Sequence, residues 1–152
     1  MTTMTHSVPL SVSTPQTSPA LGAVSGTPLL LLKLEGAALL VAAILAYATR
    51  GSSWAMFAGL FLVPDLSMLG YLGGPRLGAA CYNAGHSYLG PAVLAVLGVA
   101  ASMPMLLSLA CIWLAHIGFD RLLGYGLKYA TSFGETHLGR HGRATRVERH
   151  VS

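Results

Sequence analysis

His116 and Asp120 stand four residues apart inside an apolar run, and two residues of the same types, Asp65 and His86, sit in earlier apolar runs. On a helix, that spacing puts His116 and Asp120 on one face. Two imidazoles and two carboxylates form a donor set that suits zinc, manganese or iron. A divalent ion held by Asp65, His86, His116 and Asp120 would neutralise both carboxylates and activate a water for hydrolysis. Glu35 is then the spare carboxylate for proton transfer, the one candidate catalytic residue outside the ligand set. Arg76, Arg121 and Lys128 are cations able to hold an anionic headgroup, and Asn83 and Tyr71 are supporting polar groups.

The elements that must position these groups are apolar. Of 152 residues, 53% are hydrophobic and only 9% charged, against about 25% charged in an ordinary soluble domain. Mean hydropathy is +0.62. Four stretches, at about 29–48, 53–72, 76–100 and 105–123, are long enough as helices to cross a hydrocarbon layer of about 30 Å. Short turns separate them at Arg50-Gly-Ser-Ser, Gly73-Gly74-Pro75 and Ser102-Met103-Pro104, with Ser52 or Ser53 as a cap for the second. Pro91 predicts a kink in the third. Small residues such as Gly36, Gly59, Gly78, Gly85 and Gly118 permit close helix contact in lipid. The expected fold is therefore all-α, an integral membrane bundle of four transmembrane helices over 29–139. A disordered Ser/Thr/Pro-rich tail (1–28) precedes it and a basic tail (140–152) follows.

Basic residues orient the bundle. Arg121, Lys128 and the arginines at 140, 143, 146 and 149 follow the fourth helix, and Arg76 marks the second turn. The positive-inside rule then places both termini in the cytoplasm of a multi-pass inner-membrane protein. Antiparallel counting puts Glu35, Asp65, Asn83, His86, His116 and Asp120 in its cytoplasmic half. Charges there cost about 2.5–3.5 kcal/mol each on insertion scales, so they pair, face a cavity or do work. Three readings compete: a metal site, a proton or ion path that would require a homo-oligomer, and a set of interhelical hydrogen bonds. A haem clamp by His86 and His116 is disfavoured by the carboxylates beside them. Gly124-Tyr125-Gly126 lacks the flanks of a potassium filter. The basic excess is confined to the tail, so nucleic acid is not an expected partner. Cys81 and Cys111 lie in apolar runs without a CxxC partner and read as small buried hydrophobes.

Several longer motifs resemble one family: Leu34-Glu35-Gly36, the run from Pro64-Asp65 to Gly70-Tyr71, Tyr82-Asn83-xx-His86, the run from Ala115-His116 to Lys128-Tyr129, and Thr136-His137-Leu138-Gly139. They are similar to an uncharacterised bacterial integral membrane family, domain of unknown function number 4260, over about 29–139. That resemblance implies an integral membrane protein and no particular activity. Pro64-Asp65 and His116-xxx-Asp120 also resemble membrane-bound metal-dependent hydrolases, without the His-Arg-xx-Thr-His-Ser stretch of that group. The resulting expectation is a metal-dependent, hydrolase-like membrane enzyme acting on a lipid or other amphiphile. The alternative is a non-enzymatic small membrane protein, an oligomeric transporter or a structural partner.

Overall fold

The computed structural model describes residues 23–131 and 134–140. The rest of the expected N-terminal tail, residues 1–22, and of the basic tail, residues 141–152, lies outside the described residues. Helix α1 spans Thr27–Ala48 and starts on Pro28, whose missing N–H has no partner to lose in a first turn. Helix α2 (Trp54–Leu60) is capped by the Ser53 hydroxyl, which accepts from the Ala55 N–H, as the Ser52/Ser53 turn predicts. Helices α3 (Pro75–Gly85), α4 (Leu89–Ala100) and α5 (Pro104–Leu123) follow, and a two-stranded hairpin, β1 (Glu135–Thr136) and β2 (Gly139–Arg140), closes the described chain. Apart from that hairpin the fold is all-α. Three stretches, Thr27–Ala48, Trp54–Gly73 and Pro104–Leu123, are long and apolar enough to cross a membrane. Large apolar side chains such as Leu45, Leu72, Leu89 and Val99 lie exposed along the outside, as expected where lipid is the solvent.

Two of the four expected spans differ from plain α-helices. The second changes character after α2: Val63–Gly73 is a 3-10 helix. Pro64 cannot donate to Leu60, and the Asp65 N–H bonds instead to the Leu62 carbonyl, three residues back. In a 3-10 helix every third side chain eclipses, so Pro64, Ser67 and Gly70 form one narrow row. That row meets the small residues of α3: a Cβ at Gly70 would lie 2.7 Å from Cys81 Cβ, and one at Gly85 would lie 2.9 Å from Ser67 Oγ. The third expected span is interrupted at residues 86–88, between α3 and α4. Pro91 is the cause, although the break falls a turn before it. Without an N–H, Pro91 cannot bond the carbonyl of Ser87, so it occupies the first turn of a new helix where no donor is needed.

Carbonyls freed by such a break must find donors, above all in lipid. Helix α5 supplies them. The Trp113 indole N–H donates to Gly85 O at 2.6 Å, and Arg121 Nη2 donates to His86 O at 3.3 Å. Half of α5 is buried, far more than of the other long helices, and α1 and α4 both pack on it. The α1–α5 crossing is made by Gly36 and Gly118. A Cβ on Gly118 would meet the Leu40 backbone N at 2.7 Å, and one on Gly36 would meet Arg121 Cβ at 2.6 Å. Gly124, in the left-handed region at φ 93°, ends α5, and the Tyr125 N–H returns to Asp120 O at 2.8 Å. The chain after α5 folds back over this end of the bundle: Asn83 accepts from the Lys128 N–H (2.7 Å) and donates to the Lys128 carbonyl (2.9 Å).

Candidate metal centre

Asp65 comes from the first turn of the 3-10 helix, His86 from the residue that ends α3, and His116 and Asp120 from one face of α5. One ligand atom from each lies within 4.8 Å of all the others. His86 Nε2 is 3.1 Å from His116 Nε2, 3.4 Å from Asp65 Oδ1 and 3.4 Å from Asp120 Oδ2, and His116 Nε2 is 3.6 Å from Asp65 Oδ1. Ligands at zinc-like bond lengths of about 2.0–2.2 Å stand roughly 3.3–3.6 Å apart at the corners of a tetrahedron. The three His–Asp separations fall in that range, the His86–His116 separation is about 0.2 Å shorter than its lower end, and all four atoms stay within 4.8 Å of one another.

The surroundings fix these four side chains. His86 Nδ1 lies 2.9 Å from the Tyr82 carbonyl, which can only accept. Nδ1 of a neutral His86 therefore carries the proton, and Nε2 turns its lone pair toward the other three residues. Tyr82 stacks on the His86 ring with centroids 3.8 Å apart and planes 11° apart, and its hydroxyl donates to Asp120 Oδ2 at 3.0 Å. The Lys128 ammonium sits over the Tyr82 ring, 4.6 Å from its centroid. Burial pushes the Lys128 amine below its ordinary pKa, while the Asp120 and Asp65 carboxylates pull it back up. Phe61 packs edge-on against His116 at 5.4 Å. Both imidazoles are 1% exposed. His116 Nδ1 is buried with no hydrogen-bond partner among the described residues.

All four expected ligands are thus brought together, with Asn83 and Lys128 alongside. Glu35 is not: its side chain is exposed on α1, outside the cluster, because the close Gly36–Arg121 contact turns the neighbouring position outward. Arg76 is likewise exposed, at the start of α3. Arg121 is buried but turned to backbone, donating to His86 O and, at 3.0 Å, to Tyr125 O. Its guanidinium thus supplies a donor to the break between α3 and α4. Tyr71 packs on α3, where its ring fills the space above Gly78. His137 returns to this end of the bundle, where its Nδ1 accepts from the Leu127 N–H at 2.9 Å. The sequence reading missed Tyr82 and Trp113 as parts of the site. Tyr82 precedes His86 by four residues and Trp113 precedes His116 by three, spacings that put each on its ligand's helix face.

The family model described as Domain of unknown function (DUF4260) matches residues 29–141, and the chain belongs to that family. No curated protein and no solved structure gives a significant match.

Proposed function

We propose that this chain is a membrane-embedded metalloprotein with hydrolase-like chemistry, in which Asp65, His86, His116 and Asp120 hold one divalent ion. One observation carries the reading: four ligand atoms, from three separate elements, all within 4.8 Å of one another. Two carboxylates and two neutral imidazoles give a charge of −2, which a divalent ion balances in a place where unbalanced charge is costly. Zinc, manganese and iron all accept this donor set. The ion would supply a water acidified toward neutral pH. Asp65 is the most open of the four, its side chain 34% exposed against 14% for Asp120, so substrate would enter on its side. The basic residues after α5 support an inner-membrane location with both termini cytoplasmic.

A second reading has its own observation. The 3.1 Å His86–His116 separation is also that of a hydrogen bond, as in a non-enzymatic protein that uses these groups only to join helices. Chelation separates the two. A metalloprotein purified in mild detergent should melt at a lower temperature after chelation, whereas a His116→Ala variant should melt low and ignore the chelator. Equal melting of the wild-type protein with and without chelator, after reloading with zinc, manganese or iron(II), would favour the hydrogen-bonded reading.

A further inference from the structure

An apolar cleft of about 400 Å³ opens beside the polar cluster. Its walls include Pro64, Gly85, Ile112, Trp113, Leu94 and Leu109. Pro64 adjoins Asp65, Gly85 adjoins His86, and Ile112 and Trp113 lie one turn before His116 on α5. The cleft and the centre therefore share their walls: the backbone that shapes one aims the ligands of the other. Its volume falls in the usual range for small-molecule sites, about 300–1,000 Å³. The Trp113 N–H is already engaged by Gly85 O, which leaves Ser67 Oγ, buried without a partner among the described residues, as the spare polar atom on its wall. A cleft so apolar, walled by the sequence neighbours of Asp65 and His86, suits a molecule that is itself apolar at one end. A divalent ion there would offset Asp65 and Asp120, and the Lys128 ammonium over the Tyr82 ring would add a positive charge nearby.

We infer that the cleft receives a single alkyl chain of an amphiphile whose anionic oxygen head, a carboxylate or a phosphate, reaches the His/Asp centre. The inference rests on the metal reading for the head but not for the tail. It also gives a use to the break that Pro91 makes at residues 86–88. A continuous helix there would leave no free Gly85 carbonyl to hold the Trp113 ring in place as the cleft wall.

Trp113 makes this testable. The chain has two tryptophans, so Trp54→Phe, at the first residue of α2, leaves Trp113 as sole reporter. In phosphatidylcholine nanodiscs, dibromostearate should quench it saturably and about fivefold more steeply per bromine than either dibrominated phosphatidylcholine or dibrominated stearyl alcohol, because only the fatty acid offers one chain and an anionic head. Adding Leu94→Phe and Leu109→Phe should raise the half-saturating fatty acid about tenfold by filling the cleft. Cobalt(II) absorption bands, read in the same proteins, show whether the centre is intact. Equal quenching by all three lipids, with normal cobalt bands, would overturn the tail site and keep the metal reading. Selective quenching without cobalt bands in the wild-type protein would retire the metal reading and keep the tail site.

Discussion

Replacing Gly118 by Ala tests whether the α1–α5 crossing sets the geometry of the centre. The added Cβ would lie 2.7 Å from Leu40 N, 2.9 Å from Gly36 O and 3.1 Å from Leu40 Cα. These are backbone atoms, so no side chain can rotate away. Ordinary contact needs about 3.5 Å, which requires α1 and α5 to part by about 0.8 Å locally. Such overpacking costs about 1–3 kcal/mol, and alanine's better helix propensity returns about 1 kcal/mol. The net expectation is a loss of about 1 kcal/mol. Gly59→Ala is the matched control: its Cβ would meet nothing within 4 Å, so it keeps the propensity gain alone and should be neutral or stabilising. Helix α5 carries His116 and Asp120, and a metal centre tolerates shifts of only about 0.2 Å in its ligand distances. Gly118→Ala should therefore also weaken zinc binding about 10–100-fold, the scale of losses when a ligand's support is disturbed. Thermal unfolding and competitive zinc titration in detergent read the two effects. A Gly118→Ala protein that matches Gly59→Ala in both would refute the claim that this crossing positions the centre.

Two further expectations concern the segment after α5. Asn83→Ala leaves both the Lys128 N–H and its carbonyl without the partner they now share; it should cost about 1–3 kcal/mol and expose the Lys128–Tyr129 bond to trypsin at low protease concentrations, whereas unchanged cleavage would contradict the clamp. His137 gives a pH signature. Burial first, and the Arg121 charge second, hold its pKa below the ordinary 6.5, against the opposing pull of the Leu127 backbone contact. Its neutral form is the one that accepts from the Leu127 N–H. The unfolded chain binds this proton at higher pH than the folded one, so the contribution is fully present above 6.5 and is lost as pH falls from there through the folded value. Melting curves of the metal-free protein should therefore decline more steeply below that pH than those of His137→Asn, which keeps an acceptor but does not titrate; identical pH profiles would contradict it.

How much of this was legible beforehand depends on how local the signal was. The apolar runs, the Ser53 cap and the glycine-rich turns follow from composition and short-range chemistry, and they appear where the sequence puts them. The convergence of Asp65, His86, His116 and Asp120 also followed, because antiparallel connection places them at one depth. What did not follow was the backbone at the two prolines. Pro91 announced a kink, but not that the chain would split at residues 86–88, and nothing local said that about half of the second span, from Val63 on, would be 3-10 helix. Those outcomes depend on partners distant in sequence. The narrow 3-10 row is stabilised by α3's small residues, and the break by donors 28 and 35 residues away, at Trp113 and Arg121. The same reason hid the fate of the charged groups. Helix depth fixes how far Glu35, Arg76 and Arg121 lie along the bundle, whereas their facing depends on which helix packs where.

The central claim is that four side chains from three elements form one metal centre, and metal content tests it most directly. Protein purified anaerobically in mild detergent, reloaded with zinc, manganese or iron(II) and freed of excess ion, should carry about one ion per chain. Asp65→Asn and His116→Ala proteins of matched helical content should carry almost none. A wild-type protein with no bound ion after every reloading, or variants that retain the full complement, would contradict the account.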